Sequence, residues 1–209
     1  GIMIRTGASS VDGCLLVNID GKYIRTAGSV IQANKWHHIA VSRDSGTVKM
    51  FVDGTQVSIA DATSGYSGGD FSSVSIMDTN VAIGGYYSTD YLHTGYMTDV
   101  RVVVGTAART ASFDLPTSPL TADDTNTKLL FTPNSVVFPQ EIKRIANAPV
   151  LYNNAKVVRR GYLFDGTNDS ITFTMNQSVG TSDFTVEAWV KLDQVKSGEG
   201  SGIISMSNS

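Results

Sequence analysis

Apolar and polar residues alternate in short runs along the first third of the chain, and turn dipeptides separate the runs. Residues 14–19 and 22–26 flank Asp20-Gly21, which supplies the positive φ angles of a type I′ turn. This pattern predicts a two-residue β-hairpin. Ser45-Gly46 and Asp53-Gly54 predict two more tight turns.

The same alternation continues along the chain and predicts strands rather than helices. Proline breaks both helices and ladders, so Pro116 and Pro119 predict an irregular segment over 111–124. Further strands are predicted at 36–41, 48–52, 56–59, 81–83, 97–104, 129–131, 162–164, 170–175, 184–192 and 203–204. Residues 132–160 alternate little, contain three prolines and are predicted to be a linker with one helical turn near 141–146.

Composition narrows the picture further. A chain of 209 residues can bury one good core and is short for two. Val and Ile greatly outnumber Leu, and Glu is scarce, as is typical of all-β proteins. The net charge of -3 and the lack of a basic run argue against nucleic-acid binding. No apolar run approaches the roughly 20 residues of a membrane helix, so no membrane insertion is expected.

Several motifs resemble those of the laminin-G-like, or concanavalin A-like, family. They are WHHIAVSRD at 36–44, VKMFVDG at 48–54, AIGG at 82–85, GYMTDVRV at 95–102, LFDG at 163–166 and FTVEAWV at 184–190. The resemblance implies an all-β fold, a two-sheet antiparallel jelly-roll sandwich.

The order of these motifs differs from that of one ordinary family domain, in which FDG and FTVEAWV come first. We therefore interpret 1–131 as the C-terminal two-thirds of one sandwich, 132–160 as a linker and 161–209 as the N-terminal strands of a second. A window cut from a tandem array explains this order. Two alternatives remain: the two pieces complete each other as a circular permutant, or a neighbouring chain supplies the missing strands. Because the chain begins at Gly1, we expect a fragment or a processed product.

The sequence offers few residues for catalysis, and no enzymatic activity is expected. Neighbouring strand residues point to opposite faces, so His37 and His38 cannot converge on one ion, and one of them should face a polar surface. The three glutamates are isolated and form no hydrolase pair: Glu141, Glu187 and Glu199. The single Cys14 excludes an internal disulfide and a cysteine-clustered zinc site, and it is expected to be a buried, inert thiol.

A tyrosine-rich loop between two predicted strands is the candidate carbohydrate-binding site. Tyrosine rings can stack on sugars while polar side chains bind the hydroxyl groups. The candidate residues are Tyr86, Tyr87, Asp90, Tyr91, His93 and Tyr96. The alternative is that these rings cover a sandwich edge or pack in a subunit contact.

No cofactor is expected, and calcium is the one metal left open. Some relatives bind it with acidic and amide side chains of rim loops. The candidates here are Asp78, Asn80, Asp99 and the turn 165–169, although Asp and Asn in turns usually bond their own backbone.

A narrower resemblance covers the segments 98–107, 113–121 and 126–131, which read TDVRVVVGTA, FDLPTSPLT and NTKLLF. They are similar to laminin-G-like modules of tailed-phage virion proteins. This implies a fibre, appendage or capsid-decorating protein on the virion surface, extracellular, with other virion proteins or copies of itself as partners and a role in binding host-surface polysaccharide. The alternatives are a repeat of a secreted or surface-anchored bacterial adhesin, and an accessory carbohydrate-binding module of a polysaccharide-degrading enzyme.

Overall fold

The computed structural model describes residues 1–8, 11–66, 68–85, 91–123, 125–132, 135–137, 150–152, 155–158, 161–175, 177–196 and 200–207. These residues form 17 β-strands in two antiparallel sheets, and no helix occurs among them. The predicted all-β, two-sheet sandwich is confirmed.

The first sheet has eight strands, in the order β12-β15-β8-β17-β1-β2-β3-β7. Their bounds are β1 Ile2–Ala8, β2 Val11–Ile19, β3 Lys22–Arg25, β7 Asp61–Ala62, β8 Asn80–Ile83, β12 Val150–Tyr152, β15 Ser170–Thr174 and β17 Ser201–Met206.

The second sheet has nine strands. Seven follow the order β11-β10-β9-β16-β4-β5-β6, while β14 pairs with the first half of β9 and β13 pairs with β14. Their bounds are β4 Trp36–Asp44, β5 Thr47–Val52, β6 Thr55–Val57, β9 Thr94–Val104, β10 Thr127–Thr132, β11 Ser135–Val137, β13 Lys156–Val158, β14 Gly161–Asp165 and β16 Phe184–Leu192.

The tight turns have the backbone angles that their sequences predict. Asp20 and Gly21 have φ angles of 50° and 76° between β2 and β3. Asp53 and Gly54 have φ angles of 50° and 78° between β5 and β6. Positive φ at both central residues is the type I′ geometry, whose twist matches that of the flanking strands. These local turns fix the hairpin registers.

The core lies between the sheets and draws on both ends of the chain. On β16 the inward-facing residues include Val186 and Val190, and Val186 lies opposite Val41 of β4. On β17, Ile204 lies opposite Ile4 of β1. The strands of 161–209 therefore share one hydrophobic core with those of 1–131.

The strands from the C-terminal segment occupy interior positions in both sheets. β16 lies between β4 and β9, and β17 lies between β1 and β8. Residues 132–160, predicted as a linker, contain the short strands β11, β12 and β13. The helical turn predicted at 141–146 falls outside the described residues. How the parent polypeptide divides into units stays a prediction.

A segment without strands, residues 105–123, covers the outer face of the nine-stranded sheet, which is the face away from the core. We call it the strap. Its backbone is attached at both ends: Ala108 N donates to Thr185 Oγ1, and Leu120 N donates to Asp99 Oδ1. The Phe113 ring packs against Phe51. The predicted irregular, proline-containing segment is thus a cover for a second, smaller buried layer.

Candidate functional site

The structure separates the residues of the predicted carbohydrate-binding site. Tyr86, Tyr87 and Asp90 lie outside the described residues. Tyr91, His93 and Tyr96 are described, and each has different surroundings.

A surface depression of about 450 Å³ lies at one end of the eight-stranded sheet and includes Tyr91. Its lining is made of Gly1, Ile2, Met3, Asn18, Asp20, Gly21, Tyr91, Met206 and Ser207. We call it the Tyr91 depression. Its volume is in the range typical of small-ligand sites.

Tyr91 has its backbone and its ring fixed by neighbouring groups. Its φ of 56° is unusual for a residue with a side chain, and its carbonyl accepts a hydrogen bond from Gly202 N. The Arg5 guanidinium carbon lies 4.7 Å from the centre of the Tyr91 ring, within cation–π distance. Unusual backbone angles held by their surroundings are frequent at binding sites. These contacts therefore restrain Tyr91, which is one of the residues that line the depression.

The polar side chains of the Tyr91 depression come from the β2–β3 turn. Asp20 is well exposed, at 67% of its side-chain surface, and the Asn18 Oδ1 accepts a hydrogen bond from Gly21 N, which orients the amide. An aromatic ring beside an amide and a carboxylate can bind a saccharide, with stacking on the ring and hydrogen bonds to hydroxyl groups.

His93 lies inside the protein and is not at the surface. Its imidazole is fully buried and meets the Phe164 ring edge-on, with centroids 5.6 Å apart. Burial lowers the pKa of His93 to about 3, although the nearby backbone of Tyr96 and Lys191 favours the charged form. The ring is neutral at ordinary pH and packs the core, so it does not reach a surface ligand.

Tyr96 lies on the outer face of the nine-stranded sheet, away from Tyr91. It forms a row with two cross-strand neighbours, Lys191 of β16 and Trp36 of β4. The Tyr96 and Trp36 ring centroids are 6.4 Å apart, and the Lys191 ammonium lies 5.5 Å from the Tyr96 ring. Tyr91 and Tyr96 therefore belong to different surfaces.

Sequence reasoning missed Arg5, which contacts the Tyr91 ring, and it missed Asn18 and Asp20, which line the same depression. The sequence predicts Asn18 only as a strand residue and Asp20 only as a turn residue. The hairpin and the tyrosine-rich loop are far apart in sequence, and only the pairing of β1 with both β2 and β17 brings them together. The outward position of Asn18 in an alternating strand was the one available signal.

Glu187 is the most strongly engaged acidic side chain beneath the strap. It is fully buried and accepts hydrogen bonds from Arg101 Nε at 2.7 Å and Arg109 Nε at 3.0 Å. Arg101 Nη2 donates to the same oxygen as Arg101 Nε, Oε1, whereas Arg109 donates to Oε2. His38 Nε2 lies 3.4 Å from the carboxylate. Burial alone would raise the pKa of Glu187, but His38 and the two arginines outweigh it and hold the pKa at about 2.

Both histidines of the WHH motif are buried, on opposite faces of β4. His37 Nδ1 lies 2.9 Å from Asp53 Oδ2, while His37 Nε2 accepts from Gln32 N. His38 packs edge-on against Trp189, 5.2 Å between centroids, beneath the strap. The two rings do not converge on one ion. The expectation that one of them faces a polar surface is wrong, because the strap covers it.

Arg43 closes one end of the sandwich. Its fully buried guanidinium donates to the carbonyls of Val74, Gly180 and Ser182, which lie in two loops. Burial lowers the pKa of Arg43, and the nearby Asp183 carboxylate opposes this shift. This side chain therefore ties the loops to β4.

Candidate calcium ligands form hydrogen bonds within the fold. Asp99 Oδ1 accepts from the backbone of Leu120, and Asp165 Oδ1 accepts from Thr167 N. Asn80 Oδ1 accepts from Thr174 Oγ1. Within the described ranges, no group of three His, Cys, Asp or Glu side chains is placed to hold a metal.

Cys14 is a free, fully buried thiol packed with Leu16 on the outer side of β2. Burial raises the pKa of this thiol, an effect that the nearby Arg25 and Arg5 partly offset.

Among the described residues, no helix is long and apolar enough to cross a membrane.

Comparison with known proteins identifies the family. A family model for the concanavalin A-like lectin/glucanases superfamily, of the laminin G type, matches residues 7–111, half of the chain. The chain therefore belongs to this superfamily, in agreement with its two antiparallel sheets. Searches of curated proteins and of solved structures gave no match.

Proposed function

We propose that this chain is a structural and adhesive module of a virus particle, of the tailed-phage fibre or appendage kind, and that it binds a host-surface polysaccharide at the Tyr91 depression. The observation that carries the binding proposal is the depression itself. It combines a fixed aromatic ring with an exposed carboxylate and an oriented amide.

The virion assignment is supported by the resemblance of residues 98–107, 113–121 and 126–131 to modules of tailed-phage virion proteins. In the structure, these segments belong to β9, the strap and the region of β10, and they form one continuous unit. Arg101 Nη1 donates to Thr121 O, and Val104 N donates to Asn126 O, so contacts join all three. A strap attached in this way suits a rigid display module.

A binding role agrees better with the chemistry of the described residues than catalysis does. The Glu187 carboxylate is enclosed by two arginines and has a pKa of about 2, so it is unsuited to proton transfer near neutral pH. The His93 imidazole is shielded from substrate.

Binding to a polysaccharide array tests the proposal. Tyr91→Ala should abolish binding without changing the melting curve, because it removes the stacking ring. Tyr96→Ala is the matched control, since it deletes a tyrosine on the opposite outer face and should bind normally. Unchanged binding by the Tyr91 variant, or loss only in the Tyr96 variant, would contradict the proposed site. Mass spectrometry of purified virus particles tests the virion assignment. If no peptide of this chain is detected, the assignment is contradicted.

A further inference from the structure

The two sheets are each continuous only because of strands from residues 161–209. Without this segment, β16 would be missing between β4 and β9, and β17 would be missing between β1 and β8. Both sheets would break into unconnected pieces. We call the strands of residues 1–131 the acceptor, and those of residues 161–209, which complete both sheets in this structure, the donor.

The connection between acceptor and donor begins and ends at the same place in the structure. Tyr162 Oη donates to Thr132 O at 3.2 Å, and the Tyr162 and Phe131 rings stack with centroids 4.0 Å apart. Strand β11 pairs with the acceptor strand β10, and β12 and β13 pair with the donor strands β15 and β14. The residues between β11 and β12, 138–149, could span roughly 40 Å if fully extended. Such a length permits the donor either to fold back on its own acceptor or to reach another molecule.

The donor ends beside the beginning of the acceptor. Met206 of β17 lies opposite Ile2 of β1 in an antiparallel pair. A donor from a second molecule would therefore make the same strand pairs and bury the same side chains as the chain's own donor. The two arrangements differ only in the connection, which is the condition under which segments exchange between copies at low cost.

We propose that residues 161–209 are an exchangeable donor segment, and that the partner it fits is the acceptor of a second copy of this chain. Exchange links copies through their sandwiches. A high local concentration of chains favours exchange over closure within one chain. Within one chain, the connection gives the donor an effective concentration on the order of millimolar at its own acceptor. The proposal rests on strand topology and is independent of carbohydrate binding.

Co-expression of two defective full-length chains tests the exchange. Val41 of the acceptor and Val186 of the donor are buried core partners, so Val41→Asp and Val186→Asp each place an unpaired charge in the core. The Val186→Asp chain keeps an intact acceptor, and the Val41→Asp chain keeps an intact donor. Together, these two parts can form one sandwich. We expect a gain of soluble 1:1 heterodimer from two chains of 22.3 kDa.

The matched control pairs two donor-defective chains, Val186→Asp and Ala188→Asp, because no exchange can then supply an intact donor. Equal yields of soluble complex from the test pair and this control pair would overturn the proposal. A second measurement uses chains that keep an intact core. Trp36 and Lys191 lie opposite each other at the surface, so Trp36→Cys and Lys191→Cys chains refolded together should form an intermolecular disulfide. Absence of this dimer, when the double variant forms the bond within one chain, would also overturn it.

Discussion

Replacing Glu187 with Gln removes a buried charge that pairs with both Arg101 and Arg109, and the effect on stability can be estimated from the structure. The carboxylate is fully buried, while the arginine side chains keep 14% and 19% of their surface exposed. Burial opposes ionisation, but His38 and the arginines lower the pKa of Glu187 from 4.5 to about 2. Each pKa unit corresponds to about 1.4 kcal/mol, so the charged form stabilises the fold by about 3 kcal/mol.

This value agrees with the loss of about 3–5 kcal/mol found when one partner of a buried ion pair is removed. For a chain of 209 residues, it corresponds to a fall in Tm of roughly 6–12 °C. Asp44→Asn is the matched control, because Asp44 pairs with Lys49 at the surface and should have a much smaller effect.

The pH dependence gives this prediction a distinctive signature. A carboxyl group with a lowered pKa in the folded state contributes its full stability above its unfolded pKa, near 4.5, and loses it as the pH falls towards 2. Urea unfolding of wild type and Glu187→Gln should therefore differ by about 3 kcal/mol at pH 7. The two should converge between pH 4.5 and 2. A difference that is absent at pH 7, or that does not change with pH, would refute the reasoning.

Three further substitutions have expected outcomes. Because burial lowers the pKa of His93 to about 3, the unfolding free energy of wild type should drop by up to about 1.4 kcal/mol per pH unit as the pH falls from 6.5 towards 3. His93→Leu should make this fall less steep. A slope equal to that of wild type would argue against burial of His93. Arg43→Met should cost about 3 kcal/mol in urea unfolding, since three loop carbonyls lose a charged donor. Asp53→Ala should lower the free energy of unfolding by about 2 kcal/mol, because it leaves His37 and the His38 backbone amide without an acceptor. Lys35→Ala, which removes the exposed lysine beside the same carboxylate, should be nearly neutral.

Features determined by local sequence could be predicted. The hairpin through Asp20-Gly21 follows from two adjacent residues that tolerate positive φ, and β16 at 184–192 follows from strict alternation. β1 was not predicted as a strand. Its sequence, IMIRTGA, alternates weakly, and its pairing with β17 joins opposite ends of the chain.

Features determined by distant contacts could not be predicted. The burial of His38 depends on the strap, whose proline-rich sequence indicated irregular structure but not which surface it covers. The candidate site shows the same division. The tyrosine-rich loop indicates Tyr91, whereas Asn18 and Asp20 line the same depression only because of the sheet pairing.

The central claim is that residues 1–131 and 161–209 build one core with β16 and β17 inside its sheets. Native-state hydrogen exchange on the full chain, followed by mass spectrometry, tests this most directly. Amides of β16 and β17 should exchange only through the global unfolding that also exposes β4 and β9, with the same free energy of opening. Rapid exchange throughout 184–192 and 201–206, while β4 and β9 stay protected, would contradict the account.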